Sequence, residues 1–580
     1  MRMEELEYLF KHALAQEATY ESTLIQQRKA LHGKVAQSIE KIFQERLHEF
    51  YGMLAFHYSK AEKLDKAEEY MSKAGDEALR SSASSEALKY FQEALKLYLA
   101  KYGNDADPEK LANFEKNIAI ALYNKAQWQE SVTYFDSVLA RWGARLPKRD
   151  FLGMLKLGWH LLVLIKMIYL KVPNSKRTSG VEENKVFELQ YKACQALPYV
   201  DSIRQFQGAM AIFTRAMKFD LSTTPMGSGY LVGLANVFSC SGLSFKVSNR
   251  LLELWKKYEV IENVWDSIRS TCHNSILHYC QGTWKKIGDL EENLLNSSLK
   301  IGDFWHVTNY LWAFGLAKGE LGDFRQFSRA IDELCKMGNS YDYPFAITSE
   351  LLLKGDFLIR TKIAHEALSV AKQGVKYSQE ISTELHELYF MGYLAEAKQM
   401  SGDAEGAIES ISQATEIYKK QTSSAMPLFV APYLVARLLV YLNQLEHAIR
   451  SENSQNVADL RKRAYESGKA ALQNSKKYAP YRTKIFRLMG VYYWLIGKQG
   501  KALKWWDKTL QEGEQLCARP DLSRTYFEVG KRLLEPQRKY KELNGIDAKG
   551  YLEKAGILFR ELDLERDLDD LDRLKADCGL

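Results

Sequence analysis

Proline is scarce in this chain, 11 among 580 residues, well under the roughly 5% of an average protein. That leaves little room for extended, proline-rich spacers and favours helices joined by short turns. Alternation of period two is missing over any stretch long enough to build a sheet, which excludes the β and α/β classes. Cysteine is sparse too: Cys194, Cys240, Cys272, Cys280, Cys335, Cys517 and Cys578 are odd in number, scattered and without C-x-x-C spacing. Such usage excludes a disulfide framework and reads as reduced thiols in a cytoplasmic protein. Excess charge is also lacking. Lys plus Arg minus Asp plus Glu is 80 − 73 = +7, which gives no ground for a nucleic-acid partner. The opening MRMEELEYLF is acidic where a secretory leader would be basic.

The motifs of catalysis are missing as well. A phosphate-binding loop needs G-x-x-x-x-G-K-[ST], whose backbone amides wrap the phosphates. The nearest run, HGKVAQS from His32, lacks the upstream glycine and the hydroxyl residue after Lys34. Three His-Glu pairs begin like zincin motifs, at His48, His365 and His386, but their fourth-residue partners are Gly52, Ser369 and Phe390, none of them a zinc ligand of that class. CHNSILHYC, Cys272 to Cys280, is the sole Cys/His cluster. On a helix its two thiols stand about 12 Å apart along the axis, too far for one metal. No G-x-S-x-G elbow is present. The expectation is a non-enzyme with no cofactor, no metal and no catalytic residue.

What is there is a repeat. MSKAGDEALRSSASSEALKYFQEAL, Met71 to Leu95, follows the tetratricopeptide frame, in which small residues let two antiparallel helices touch and large ones fill the holes. Ala74, Gly75, Ala87 and Phe91 take those roles, beside Met71, Ala78 and Ala94. The frame recurs with Phe486, Met489, Gly490, Tyr493, Ala502 and Trp506, with Phe314, Gly315 and Ile331, and with Leu394, Ala395, Ala407 and Ile411. Turn markers support it. Gly288-Asp289 and Gly322-Asp323 lie 34 residues apart, and Gly402-Asp403 lies 80 further on; Gly ends one helix and Asp caps the next. The fold class is therefore all-α, a tetratricopeptide-like helical-repeat solenoid of antiparallel helix pairs. The organisation expected is a helical connector over 1–50, repeats over 51–145, an apolar helix and basic linker over 146–180, a divergent array over 181–540, and a capping helix over 541–580 preceded by a loop.

Such an array presents a groove to a protein or peptide ligand. The aromatic cluster Tyr492, Tyr493, Trp494, Trp505 and Trp506 is the candidate lining, set against helix packing as the plainer reading of part of it. The most apolar stretch is FLGMLKLGWHLLVLIKMIYL, Phe151 to Leu170. It is long enough to span a bilayer, but Lys156 and Lys166 would each cost about 2.5–3.5 kcal/mol near the centre. A buried repeat helix whose lysines reach out to water is the preferred reading, ahead of one lying on an anionic membrane surface between basic flanks.

The start of the chain adds a resemblance. Phe10, Lys11, His12, Ala13, Leu14, Gln16, Glu17 and Tyr20, then Arg28, Leu31 and His32, resemble the segment F-[KR]-H-A-L-x-[QH]-E-x-x-Y that follows the ATPase module in signalling proteins of the STAND type. Leu54, Ala55, His57, Tyr58, Lys66, Ala67, Tyr70, Ala74 and Gly75 continue the likeness over about the first hundred residues. In that family the segment ends a winged-helix-like region and leads into a tetratricopeptide arm, often in chains carrying an adenylate/guanylate cyclase or Ser/Thr kinase domain. The resemblance implies a cytoplasmic sensor or scaffold arm whose partner is an ATPase, cyclase or kinase module upstream or in trans. His12 and Glu17 then belong to a connector rather than an active site.

Overall fold

The computed structural model describes residues 13–170, 177–222, 224, 228–258, 264–421, 425–451 and 454–580. Phe10, Lys11 and His12 of the connector motif lie outside them, as do positions 171–176 of the basic linker. The described residues form 27 α-helices, and the strands among them are one two-residue antiparallel pair, Glu542–Leu543 with Ile546–Asp547. The all-α repeat expectation holds. At the C-terminus the loop expected at 541–550 contains this small hairpin, and two helices follow it, Ala548–Glu561 and Glu565–Cys578, where one was expected.

The repeat is set by its turns. Residues with positive φ fall at Gly302, Gly322, Asp342, Lys362, Ser382 and Gly402, in even steps along the chain. From Gly322 onward each closes a helix of 17 or 18 residues. One helix pair therefore runs from the turn at Gly322 to the turn at Lys362, a longer step than the one from Gly288 to Gly322. At Gly322 and Gly402 the Gly-Asp rule operates: φ is +81° and +80°, while Asp323 accepts from the Gln326 amide and Asp403 from the Gly406 amide. Gly302-Asp303 does the same, with Asp303 capping at the His306 amide. Gly288-Asp289 does not. It follows the short 3-10 helix Trp284–Lys286 without a positive φ, so its distance from Gly322 is not a repeat length.

Within pairs, a small residue on one helix receives a ring from the next at a constant sequence offset. A Cβ on Gly75 would stand 2.7 Å from the Phe91 ring, and one on Gly490 2.1 Å from Trp506. The same fit joins Gly374 to Phe390. Ala74, Ala87, Ala407 and Ala502 are buried with them, as is Gly315, which is closed over by Phe327, Ala330 and Leu353. Close approach of backbones is what these small residues supply.

The chain divides into two compact units, Met1–Lys125 with Glu130–Ala144, and Ala126–Gln129 with Arg145–Leu580. In the first, Glu40 ties three helices by accepting from Tyr58 and Tyr70 at 2.6 and 2.5 Å. The connector residues also meet there: Tyr20 reaches His32, and His32 reaches His57 at 2.8 Å. In the second unit a buried ionic cluster crosses the array. Arg360 pairs with Asp356 and, at 2.9 Å, with Glu320, and Tyr393 and Tyr481 donate to Asp356. Arg524 binds the Arg360 carbonyl and pairs with Asp567 at 2.7 Å.

Among the described residues, two helices of the second unit are long and apolar enough to cross a membrane, Phe151–Leu170 and Pro427–Arg450. The second is mostly buried; Gly392 lies against its backbone at Pro432 and Tyr433. The first corrects the preferred sequence reading. It is not a core helix: Phe151 is 77% exposed, Trp159 64% and Leu162 62%, and only Gly153, Leu164 and Met167 are buried.

Candidate binding cavity

The second unit contains a half-open cavity of about 130 Å³. Its wall is contributed in turn by helices Val181–Ala196, Ser202–Ala216, Gly229–Cys240, Val264–Gln281, Phe304–Leu321, Pro344–Arg360, Glu384–Met400 and Pro427–Arg450. Each sends at least two side chains inward, because the face that a repeat helix turns to its neighbours is apolar and aromatic. Tyr199, Trp312, Phe345, Tyr389 and Phe429 are among its ring-bearing residues, and Gly233 lies in the same wall, where a Cβ would stand 3.6 Å from the Tyr191 ring. Among the described residues the lining holds no Asp, Glu, Lys or Arg.

Within one wall, and continuing behind it, runs a hydrogen-bonded chain. Asn236 reaches His273 Nδ1 at 3.1 Å, His273 Nε2 lies 3.0 Å from the Tyr191 hydroxyl, and that hydroxyl lies 3.3 Å from His306 Nε2. His306 Nδ1 is 2.7 Å from Asp303. One tautomer set satisfies the whole chain with both rings neutral: the Asn236 amide donates to His273 Nδ1, His273 Nε2–H to Tyr191, Tyr191 to His306 Nε2, and His306 Nδ1–H to Asp303. Burial drives the same outcome. It holds His273 well below its ordinary value, with His306 and Arg269 adding to the effect, and lowers His306 although Asp303 sits beside it. It takes His386 down to about 4 and pushes the Tyr191, Tyr199 and Tyr230 hydroxyls up. At neutral pH these groups carry no charge.

Among the described residues, four buried polar atoms of lining residues have no hydrogen-bond partner: Tyr230 OH, His386 Nδ1, Gln205 Oε1 and Trp305 Nε1. Tyr230 is 4% exposed and His386 2%. An unanswered buried polar group costs about 1–3 kcal/mol; such atoms also occur away from the cavity, at Gln326, Gln399, Tyr478 and Thr483.

The aromatic cluster expected to line a groove near the other end of the chain divides. Trp494 and Trp506 are core residues, corrected from groove lining: Trp506 is fully buried, filling the space over Gly490 and donating to the Arg487 carbonyl, and Trp494 packs on it and donates to Glu535. Tyr492 is likewise buried. Tyr493 and Trp505 stay half-buried, stacked on each other at 6.5 Å. The CHNSILHYC segment touches the cavity through His273 and Ile276, while its Cys272 and Cys280 are buried and free. His386, set aside as a failed zincin pair, is in the wall as a single ring. Tyr191, Tyr230 and His306 gave no local signal, being single residues on separate helices.

No protein-family model matches the chain, and no curated protein matches it either. Several solved structures share a distant likeness. A Rap protein complexed with Competence and Sporulation Factor is 9% identical over 80% of this chain and 100% of that one, with a TM-score of 0.43. The APC/C hetero-tetramer Cut9-Hcn1 is 12% identical over 96% and 94%, TM-score 0.38. A STAND signal transduction ATPase with a tetratricopeptide repeat sensor, from Pyrococcus horikoshii, is 14% identical over 94% and 90%, TM-score 0.32. The helical-repeat assignment rests on this chain's own turns and helix pairs.

Proposed function

We propose that this chain is a non-catalytic helical-repeat arm that binds a protein or peptide, acting as a scaffold or sensor in signalling. The observation that carries the reading is the even succession of turns from Gly302 to Gly402, since stacked helix pairs build an extended surface suited to partners rather than a catalytic cleft. The connector residues from Phe10 to His32 support a finer version, in which the partner is a STAND-type ATPase, cyclase or kinase module encoded upstream or supplied in trans. Affinity capture from the source cell, using the purified chain, tests it: a co-purifying protein with such a module is expected, and capture of no protein would overturn it. An in-frame extension carrying a phosphate loop upstream of Met1 would instead make the chain one piece of that enzyme.

A second reading has its own observation. The exposed Phe151–Leu170 helix contains no acidic residue, and Arg145, Lys148 and Arg149 stand exposed before it. An apolar face beside cations suits an anionic bilayer surface. Flotation with vesicles containing phosphatidylserine checks this. Binding should fall when Trp159 and Leu162 are changed to Asp, and equal flotation of both proteins would remove the helix from consideration.

A further inference from the structure

We infer that the cavity between Tyr191 and Phe429 is a binding site for a neutral aromatic group bearing a hydrogen-bonding edge, of the indole or phenol kind. This goes beyond the partner-binding reading and does not depend on it.

Size, surface and unmet hydrogen bonds each narrow the ligand. At about 130 Å³ the space is close to that of an engineered protein cavity of ~150 Å³ that takes up benzene. One aromatic ring fills such a space. The ring-rich wall of Tyr199, Trp312, Phe345, Tyr389 and Phe429 offers edge and face contacts to another ring. Tyr199, Phe345, His386 and Phe429 already interlock with centroids 5.3–6.4 Å apart. Charge is disfavoured. Among the described residues the lining has no ionic side chain to answer a carboxylate or an ammonium group, and an unanswered ion in such a place is expensive. A purely apolar guest would fit the rings yet leave Tyr230 OH, His386 Nδ1, Gln205 Oε1 and Trp305 Nε1 unanswered. Each atom is buried within a residue of the wall, as acceptors (Gln205 Oε1 and the hydroxyl) and donors (Trp305 N–H and the hydroxyl), so a side-chain rotation that turns one toward the guest gives an N–H or O–H on the ring edge a partner.

The ring could arrive free or on a peptide side chain, and the chemistry is shared. The arrangement has one consequence for the array. Eight helices spanning 181–450 contribute to the wall, so a guest there would bridge successive repeats and stabilise them together.

Isothermal titration of the full chain tests the inference, with indole and phenol as free ligands, N-acetyl-tryptophanamide as the side-chain arm, and benzoate as the charged control. Saturable binding of indole or phenol, at least tenfold tighter than benzoate, is expected; tighter binding of N-acetyl-tryptophanamide would assign the ring to a peptide. Gly233→Phe, which adds a ring to the wall, should abolish binding. Tyr230→Phe keeps the shape and should weaken the hydrogen-bonding ligands about 3- to 10-fold, with unfolding used to confirm that both variants fold. If Gly233→Phe does not fold, Tyr230→Phe and His386→Phe carry the test. No binding by any neutral ring, benzoate binding as tightly, or no loss in the cavity variants that fold would overturn the proposal, leaving a cavity occupied by water.

Discussion

Two buried polar neighbourhoods lie in the same unit and are built on opposite terms. Around Arg360, Asp356 and Glu320 answer the guanidinium, and Tyr393 and Tyr481 answer Asp356. Around the cavity, Tyr230 OH, His386 Nδ1, Gln205 Oε1 and Trp305 Nε1 have no partner among the described residues. The first arrangement ties helices separated in sequence, from Glu320 to Asp567. The second leaves hydrogen-bonding capacity unused at the centre of an aromatic wall. A fully answered network holds a fold in one geometry, whereas an unanswered one inside a cavity has the character of a receptor.

Breaking the first neighbourhood should have the largest effect. Arg360→Leu strands Glu320 and Asp356 in the interior, and a cost of about 3–5 kcal/mol in urea unfolding is expected. A loss below about 1 kcal/mol would mean the cluster does not staple the array. The acid limb comes next. Burial raises the Asp567 carboxyl, but Arg524 and Lys362 outweigh it and hold it at about 2, below the ordinary 3.8. A depressed carboxylate contributes stability that is complete above its unfolded value and lost as pH falls through the folded one. Stability should therefore drop by about 2 kcal/mol between pH 4 and pH 2 from this group, and Asp567→Asn should flatten that part of the profile. The smallest effect belongs to the cavity. His386→Phe replaces a neutral ring that has an unanswered nitrogen with one that has none, so unfolding free energy should stay within about 1 kcal/mol of the parent or rise. A loss as large as that of Arg360→Leu would erase the contrast.

How much of this was legible in the sequence follows from where each signal sits. Gly75 with Phe91 and Gly490 with Trp506 share one short offset on adjoining helices, so a local frame finds them and the fold class with them. The repeat length was harder. Only some turns carry Gly; Asp342, Lys362 and Ser382 adopt positive φ without it, so the Gly-Asp markers sampled an even rhythm irregularly. The Phe151–Leu170 helix misled because apolarity sets what a helix prefers, not whether the fold supplies a neighbour. The cavity was not legible at all. Its side chains come from eight helices across 181–450, and every Tyr, Trp or His among them reads in isolation as ordinary repeat core.

The sharpest test applies one chemical edit in both places. Tyr393→Phe and Tyr230→Phe each delete a single buried hydroxyl without changing shape. Tyr393 donates to Asp356 at 3.1 Å, whereas Tyr230 OH has no partner among the described residues. Measured side by side by urea unfolding, Tyr393→Phe should cost about 1.5–3 kcal/mol and Tyr230→Phe should be neutral or stabilising. Equal losses at the two positions would contradict the contrast, because the cavity hydroxyl would then already be answered in the free protein.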